Sequence, residues 1–449
     1  MNLHHAGKTI FTKKKSNARV SIEQFADNFD AMRLVKVVKE KAAPFVFVTG
    51  GAGTGKTTLL KLIIEGTKNA VLTATTGIAS MNIGGQTLHS LFRLGAKLML
   101  KSDLEKHKCP NQALFDAMEY LIIDEVSMLR ADMLDAVDYL LKRWRKNSAP
   151  FGGVMVIGSG DLLQLPPVIG KAEAEIYFRM YASPWFFYAN CLARIDAEFI
   201  ELKSIYRQRD EDFLNALNRI RENNDHRDSV ALINRSCYRD IDPNFVPELV
   251  LCARNDRADE INNERLNQIN SPLKVYRGEV SGSINPKSKL PSPLELRLKV
   301  GCRVMITKNI ELAVNGQLGT IKSLGNESVS VELDDGKIIE VERAEWEQTR
   351  YGVNPETQEI MAQEGADSYK QLPLALGYAV SIHKSQGLTL DSVLIDLGEG
   401  AFASGMAYTA LSRCRSLQGI KLAKPLSMKD VITDKTILSF YENVRKHAA

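Results

Sequence analysis

The segment GGAGTGKT at Gly50–Thr57 has the residue types and the spacing of a phosphate-binding loop. Its glycines let backbone N–H groups approach a phosphate, and the helical pattern that follows adds a helix N-terminus. In such a loop Lys56 contacts the β- and γ-phosphates and the Thr57 hydroxyl holds Mg²⁺. The residues predicted to contact the nucleotide are Gly51, Ala52, Gly53, Thr54, Gly55, Lys56, Thr57 and Thr58.

A second motif, Asp124–Glu125, ends the apolar run YLIIDE. The carboxyl ends of parallel strands open onto one crevice, so this pair should face the phosphate loop. Asp124 would hold Mg²⁺ through water, and Glu125 would polarise the attacking water. An isolated acidic pair is usually a solvated turn, but the apolar strand before it and the phosphate loop favour the catalytic interpretation.

The segment GDLLQLPPV at 160–168 follows another apolar strand. It places Asp161 and Gln164 where a side chain can sense the γ-phosphate, and its paired prolines stiffen the exit from the turn. By itself this is an ordinary polar loop. Its position after the two preceding motifs makes it specific.

A parallel sheet is needed to bring these motifs together. Apolar, β-prone runs alternate with helical patterns up to residue 161 and again after residue 198, which predicts an α/β fold. Residues 271–295 are rich in Ser, Pro and Gly and are predicted to be loop-like. Short β segments at 300–345 predict a small antiparallel β-barrel inserted in the second α/β unit, and the α/β pattern returns at 376–398.

Length and composition indicate a large globular protein. The chain has 449 residues, of which 44% are hydrophobic and 25% are charged, and about 150 residues per domain favours about three domains. The sequence contains no uncharged apolar run of about 18 residues that would span a membrane. Its six cysteines form no CxxC pair that would indicate a zinc site or a disulfide framework, so we expect a reduced, intracellular protein.

The charge is distributed unevenly along the chain. The formal net charge is +4, and residues 1–22 contain five basic residues and no acidic one. We interpret this segment as a loose basic tail, with an organelle presequence as the alternative. Because the remainder is nearly neutral, a nucleic acid would bind a local basic channel rather than respond to bulk charge.

Eight motifs stand in an order that resembles the superfamily 1B helicases. They are GGAGTGKT, TATTGIAS, GGQTLHSLF, IIDEVSML, GDLLQLPPV, IYRQRDEDFLNALNRIR, SIHKSQGLTLD and GMAYTALSRC. The resemblance covers about residues 45–420 and is closest to the petite-integration-frequency (PIF) family of 5′-to-3′ DNA helicases. RecD and Dda-type helicases share fewer of these motifs.

The resemblance implies two RecA-like P-loop NTPase domains with ATP between them and a small β-barrel inserted in the second. The implied boundaries are a basic tail at 1–22, a first domain at 23–197 with a wedge-like insert at 93–115, the first part of the second domain at 198–295, the barrel at 296–370 and the remainder at 371–449.

The resemblance also implies a catalytic set and two metal ligands. They are Lys56, Glu125, Gln164, Arg207 and Arg413, with Thr57 and Asp124 for Mg²⁺. Two guanidinium groups that arrive across a cleft neutralise charge on the transferred phosphoryl group, so hydrolysis depends on closure. Gln24 is the candidate for the adenine-binding glutamine, although it precedes Gly50 by more residues than the family pattern has.

Polar motif residues away from ATP are expected to contact DNA phosphates without recognising bases. They are Thr75, Thr76, His89, Ser90, Asn315, His383, Lys384, Ser385 and Thr389. Alternatives stay open for three of them, since each histidine could be a core or surface group and the asparagine could simply form a hairpin turn.

Two inserts are candidates for the element that separates DNA strands. Residues 93–110 combine five basic side chains with Leu98, Met99 and Leu100, as a wedge would. The alternative is an amphipathic segment packed on the first domain. The predicted barrel is acidic over residues 327–347 and should act as a steric wall with few phosphate contacts.

We therefore expect an ATP- and Mg²⁺-dependent DNA helicase that moves 5′ to 3′ on single-stranded DNA. It would unwind duplex or G-quadruplex junctions in replication, repair or recombination. We expect a monomer or a dimer formed on DNA, and no membrane partner. Two alternatives remain: a RecD-like subunit of a nuclease complex, and a nucleotide-gated DNA-binding scaffold. The intact catalytic set argues against the scaffold.

Overall fold

The computed structural model describes residues 28–95, 97–204, 210–239, 247–282, 290–354, 356–357 and 359–448. Two predicted site residues, Gln24 and Arg207, lie outside the described residues.

The first unit is a parallel sheet covered by helices. Its elements are α1 (Phe29–Glu40), β1 (Phe45–Gly50), α2 (Lys56–Glu65), β2 (Ala70–Ala74), α3 (Gly77–Ile83), β3 (Gln86–Thr87), α4 (Leu88–Phe92), α5 (Lys101–Leu104), α6 (Gln112–Ala117), β4 (Tyr120–Asp124), α7 (Ala131–Trp144), β5 (Met155–Ser159), α8 (Ala174–Met180) and β6 (Ala197–Leu202). The strand order is β3-β2-β4-β5-β1-β6, and every pair is parallel. β1, β4 and β5 are buried along their whole length, as strands with helices on both faces must be.

The second unit starts with a helical pair and a strand, and antiparallel strands interrupt it. The first elements are α9 (Glu211–Glu222), α10 (Arg227–Asn234), β7 (Leu249–Cys252) and α11 (Asn255–Gln268). The antiparallel strands are β8 (Lys274–Arg277), β9 (Glu279–Ser281), β10 (Glu295–Leu298), β11 (Arg303–Ile306), β12 (Leu318–Leu324), β13 (Ser328–Leu333), β14 (Ile338–Glu342), β15 (Ala344–Val353), β16 (Ile360–Gln371) and β17 (Leu374–Leu376). The last elements are β18 (Ala379–Ser381), β19 (Val393–Asp396), α12 (Met406–Leu411), β20 (Ile420–Leu422) and α13 (Lys435–Ala448).

A second parallel sheet joins segments from both sides of the antiparallel insert. Its order is β18-β7-β19-β20, with every pair parallel. β7 precedes the insert, and its three sheet partners follow it. The α/β organisation predicted from the alternation of strands and helices is therefore present in both halves of the chain.

The antiparallel insert contains sheets with the orders β14-β13-β12-β11-β17, β15-β16-β9 and β10-β8. The predicted barrel is not confirmed, because within the described residues the five-stranded sheet stays open between β14 and β17. The prediction of a loop at 271–295 is wrong in part, since β8 and β9 lie there. Their short alternation, with Tyr276 buried between exposed neighbours, is hidden among the surrounding Ser, Pro and Gly residues.

Two segments from the second half of the chain pack on the first unit. On β15, the Tyr351 hydroxyl accepts a hydrogen bond from the Leu72 N–H at 3.1 Å. On α13, the Tyr441 hydroxyl lies 2.6 Å from that of Thr49 in β1. No helix among the described residues is both long enough and apolar enough to cross a membrane.

Candidate active site

Three neighbouring strands bring the predicted nucleotide motifs to one edge of the first sheet. β4, β5 and β1 are adjacent and parallel. The phosphate loop follows β1, Asp124 is the last residue of β4, and Asp161 lies just beyond β5. The three motifs therefore meet at the carboxyl ends of these strands, where open α/β sheets bind ligands.

The phosphate loop turns on glycines in the left-handed region. Gly53 and Gly55 have φ values of 84° and 81°, which residues with a Cβ seldom adopt. Gly55 is the N-cap of α2, so unpaired N–H groups of the first helical turn border the loop. The Lys56 ammonium group donates to the carbonyls of Gly50 and Gly51 at 2.8 and 3.1 Å. Burial lowers the pKa of Lys56, so an anionic phosphate would stabilise its charged form.

A hydroxyl and a carboxylate meet beside the loop. Thr57 Oγ1 donates to Asp124 Oδ2 at 3.2 Å, and the Glu125 N–H donates to Asp124 Oδ1 at 3.0 Å. Asp124 is 6% exposed, and burial raises its pKa. A divalent cation would favour the ionised carboxylate, and the hard oxygen donors of Thr57 and Asp124 suit Mg²⁺.

Glu125 combines an unusual backbone with a perturbed carboxyl group. Its φ is 53°, which is uncommon for a residue other than glycine. The Thr75 hydroxyl donates to the Glu125 carbonyl at 2.9 Å, and the Thr75 N–H donates to the Asp124 carbonyl at 3.3 Å. Burial, with a further contribution from Asp124, raises the pKa of Glu125 to about 7. Such a carboxyl can accept a proton from water near neutral pH.

The segment after β5 connects the first unit with the second. Asp161, which is 1% exposed, accepts a hydrogen bond from Arg221 at 3.0 Å and another from the Tyr408 hydroxyl at 3.3 Å. The side-chain oxygen of Gln164 accepts from the Gln386 amide at 3.4 Å. Arg221, Tyr408 and Gln386 all belong to the second unit, so this edge of the first sheet is a contact between the two units.

Arg413, the predicted catalytic arginine after α12, is 1% exposed. Its guanidinium group donates to the carbonyls of Thr409 and Ser385 at 2.9 and 3.3 Å. The positive charge of Arg413 also lowers the pKa of Glu125, against the larger effect of burial. Arg413 therefore lies near the acidic pair, whereas Arg207 lies outside the described residues and its role stays a prediction.

Two second-unit residues at this contact were missed as site residues. The Tyr408 hydroxyl accepts from the Ala52 N–H of the phosphate loop at 3.0 Å. Arg221 lies on the buried face of α9 with Phe213 and Leu217. A charged residue at helical spacing from apolar ones was the available signal, because a buried charge needs a partner.

The predicted DNA contacts of the first unit follow β2 and β3. The Thr76 hydroxyl caps α3, and that of Thr75 is engaged at the acidic pair. In α4, His89 is half-buried and Ser90 is exposed. Burial, assisted by Arg130, lowers the pKa of His89, so its ring is neutral at pH 7. Ser90 is the candidate here whose side chain is most accessible to a strand.

The predicted DNA contacts of the second unit lie on two adjoining loops. After β18, Lys384 is exposed, His383 is half-buried, and Ser385 is buried with its hydroxyl donating to a backbone carbonyl at 2.8 Å. The Asn315–Gly316 turn lies against the loop that contains Thr389, since a Cβ at the glycine would be 4.0 Å from the Thr389 carbonyl oxygen. The structure therefore brings the turn and the HKSQGLT motif together.

The segment proposed as a wedge is anchored on the first unit. Leu98 and Met99 are partly buried against its core, and Leu100 is 38% exposed. The Leu98 N–H donates to Glu173 at 2.7 Å and the Met99 N–H donates to Asp132 at 3.1 Å. The packing alternative accounts for Leu98 and Met99, whereas Leu100 is the member of the apolar trio that reaches solvent.

Fold and site together define a P-loop protein with two parallel α/β units that meet at the nucleotide motifs. The family model of PIF1-like helicases matches residues 24–229. The ATP-dependent DNA helicase Pif1 of Bdellovibrio bacteriovorus is 31% identical over 408 residues, which cover 88% of this chain and 88% of that protein. The chain belongs to the PIF1-like helicase family.

Longer relatives and solved structures agree with this assignment. The ATP-dependent DNA helicase PIF1 of Danio rerio is 34% identical over 421 residues, which cover 89% of this chain but 62% of that protein. The chain thus spans less than two thirds of that relative. The crystal structure of Bacteroides sp. Pif1 in complex with ADP-AlF4 matches with a TM-score of 0.85 and 36% identity, over 94% of this chain and 97% of that one. Bacteroides Pif1 bound to ssDNA matches over the same shares with a TM-score of 0.69 and 35% identity. These matches confirm an α/β fold with a RecA-like parallel-sheet core.

Proposed function

We propose that this protein is an ATP-dependent DNA helicase, a motor that hydrolyses ATP to move along single-stranded DNA and separate paired strands. The observation that carries the proposal is that the phosphate loop, the acidic pair Asp124–Glu125 and the segment after β5 meet at a contact between two α/β units. A nucleotide at this edge would touch groups of both units, so its hydrolysis can change their arrangement.

The residues of the first unit have separable tasks in hydrolysis. Lys56 holds a positive charge against the β- and γ-phosphates, while Thr57 and Asp124 would hold Mg²⁺, which would neutralise phosphate charge. The Glu125 carboxylate orients the attacking water and accepts its proton. The two hydrogen bonds from Thr75 fix the backbone at the acidic pair, so they keep Glu125 in position.

The second unit completes the site when the units close. The guanidinium groups of Arg413 and Arg207 stabilise charge that develops on the transferred phosphoryl group. The effect of Arg413 on the Glu125 carboxyl supports a place in the same cleft. The hydrogen bond between Gln164 and Gln386 supports a second connection, from the γ-phosphate side of the first unit to the HKSQGLT motif.

We propose that the DNA strand runs over the predicted side chains that the fold leaves exposed or half-buried, such as His89 and Ser90 on the first unit and His383 and Lys384 on the second. Relatives support this substrate: Bacteroides Pif1 has been crystallised bound to ssDNA, and another structure describes DNA unwinding at forked dsDNA by two coordinating Pif1 helicases. Forked DNA and the action of two copies are accordingly part of the proposal. The 5′-to-3′ direction, G-quadruplex junctions, an intracellular location and roles in replication, repair and recombination rest on family membership.

Two accessory elements are proposed to act at the junction of single and paired strands. Leu100 would press on the exposed base pair. The hydrogen-bonded backbone of Leu98 and Met99 would keep Leu100 in place. The antiparallel insert, proposed to form a small barrel, would be a wall, because its acidic stretch at 327–347 repels DNA phosphates.

ATP hydrolysis with and without single-stranded DNA tests the proposal. We expect DNA to stimulate hydrolysis by the wild type. Lys56→Ala should lose nucleotide binding, and Glu125→Gln should keep binding but slow turnover by about 100- to 10,000-fold. Lys61→Ala, on the exposed face of the same helix, is the matched control and should behave as the wild type.

Two outcomes would point to the alternatives. A wild-type protein that binds nucleotide and DNA but hydrolyses nothing would be a nucleotide-gated scaffold. A protein that hydrolyses ATP but co-purifies with, and depends on, a nuclease chain would be a RecD-like subunit.

A further inference from the structure

A buried arginine of the second unit lies against the start of the phosphate loop. Arg221, in the last turn of α9, is 6% exposed, and its Nη2 donates to Asp161 at 3.0 Å. Its guanidinium carbon lies 5.9 Å from the centre of the Tyr441 ring. A Cβ at Gly51 would be 4.0 Å from Arg221 Nε and 3.5 Å from the Tyr408 hydroxyl. Arg221 thus reaches from one unit to the phosphate-binding loop of the other.

The Arg221 guanidinium group has a buried donor that lacks an acceptor within the described part of the chain. The Nε–H of Arg221 is buried and meets no hydrogen-bond acceptor among the described residues. Nη1 lies 3.8 Å from the Glu222 carboxylate, too far for a hydrogen bond. Buried donors without acceptors are destabilising, and each one in a native protein calls for a functional or structural explanation. This donor atom, Nε, is also the Arg221 atom that lies 4.0 Å from the Cβ position at Gly51 in the phosphate loop.

The charges around the phosphate loop also favour a guanidinium group at this place. Asp161 is 1% exposed, and its charge acts to raise the pKa values of both Lys56 and Glu125, the two residues proposed to act at the γ-phosphate. A bare carboxylate at this place would repel a triphosphate. The ion pair between Arg221 and Asp161 removes that repulsion and holds the guanidinium group beside the loop.

We propose that Arg221 donates its Nε–H to the terminal phosphate and makes the site prefer a nucleoside triphosphate to a diphosphate. This inference rests on the proposed nucleotide site. The planar guanidinium group can keep Nη2 on Asp161 while Nε–H bonds a phosphate oxygen. Because Arg221 and the phosphate loop belong to different units, this bond joins the units while the γ-phosphate is present and is lost when phosphate leaves.

Equilibrium binding tests this role without turnover. Fluorescent ADP, alone and with beryllium fluoride as a γ-phosphate mimic, is titrated with Mg²⁺ into the wild type, Arg221→Lys and Arg221→Gln. Lysine keeps the charge that pairs with Asp161, but its single ammonium group has no fork to share between carboxylate and phosphate. We expect the affinity for ADP alone to be unchanged in both Arg221 variants. The preference for the mimic, which is the ratio of the two affinities, should fall about tenfold or more, because one charge-assisted hydrogen bond is lost.

Two further variants sharpen the comparison. Arg219→Lys is the matched control. Arg219 lies on the same helix, its side chain is 49% exposed, and its Nη1 lies 3.8 Å from the Asp225 carboxylate. The preference of this variant for the mimic should equal that of the wild type. Asp161→Asn removes the negative charge that repels phosphate but keeps an amide oxygen that can accept from Arg221 Nη2, so the guanidinium group stays in place and the preference for the mimic should be kept or increased. This second variant decides the matter if the Arg221 substitutions do not fold.

Three results would overturn the proposal: an unchanged preference in Arg221→Lys, equal weakening of ADP and the mimic together with a lower melting temperature, or a lost preference in Asp161→Asn. The second result would mean that Arg221 only joins the units. Wild-type nucleotide binding by Lys56→Ala would instead contradict the nucleotide site itself, so the two failures are distinguishable.

Discussion

Replacing Glu125 by glutamine should make the protein more stable and nearly inactive at the same time. Burial and the neighbouring Asp124 raise the pKa of Glu125 from 4.5 to about 7. A carboxyl group whose pKa is higher in the folded chain than in the unfolded chain binds its proton more tightly when folded. Its contribution to stability is therefore most favourable below pH 4.5, declines as the pH rises towards 7, and is lost above that.

The size of the effect follows from the pKa. At about 1.4 kcal/mol for each tenfold change in the ionisation constant, the ionised carboxylate costs the fold about 3 kcal/mol above pH 7. The glutamine amide has nearly the same shape and no charge, so Glu125→Gln should recover much of this free energy. The melting temperature of the first unit should then rise by several degrees, at about 2–4 °C for each kcal/mol.

Thermal unfolding between pH 5.5 and 8.5, with EDTA and without nucleotide, measures this gain. We expect the increase in melting temperature caused by Glu125→Gln to grow up to about pH 7 and then to level off. Glutamine does not titrate, and the wild-type carboxyl group is fully ionised well above its pKa. Glu119→Gln is the control: its carboxylate is 44% exposed, and the hydrogen bond from Lys41 lowers its pKa, so the substitution should not stabilise the fold. A gain of equal size at every pH, or a loss at pH 8, would refute the reasoning.

Three further predictions concern activity. The kcat/KM for ATP should increase as the pH rises through about 7, because only ionised Glu125 accepts a proton; a flat profile from about pH 5.5 to 8.5 would remove Glu125 as the base. Arg413→Ala should keep its affinity for single-stranded DNA, measured by fluorescence anisotropy without nucleotide, and lose DNA-stimulated hydrolysis; equal loss of both would mean a structural role. Leu100→Ser should reduce duplex unwinding while hydrolysis on single strands and the melting temperature stay normal, whereas Leu98→Ser should lower the melting temperature; the reverse pattern would exclude Leu100 as the wedge.

The nucleotide motifs were predictable because each depends on local geometry. A strand, a glycine turn and a helix follow one another in the chain around Gly50–Thr57, so the local sequence pattern specifies the fold of the loop. Asp124 lies at the end of a fully buried strand, which its apolar neighbours already indicated. Parallel strand order then brings the motifs to one edge without further information.

Contacts between the units could not be predicted in the same way. The spacing of Phe213, Leu217 and Arg221 shows that the arginine lies on a buried helix face, but not that its partner is Asp161 in the other unit. The pairing of the antiparallel strands is equally non-local. The short β segments at 300–345 are present as strands, but closure of a barrel depends on edge strands that no local pattern pairs.

Unwinding of a duplex that carries a single-stranded tail on one side tests the central claim most directly. The wild type and Lys56→Ala are compared on 5′-tailed and 3′-tailed duplexes with ATP and Mg²⁺. We expect the wild type to separate the 5′-tailed duplex only when ATP is present, and Lys56→Ala to separate neither. Separation of the 3′-tailed duplex alone would contradict the direction, and no ATP-dependent separation of either duplex would contradict the helicase function.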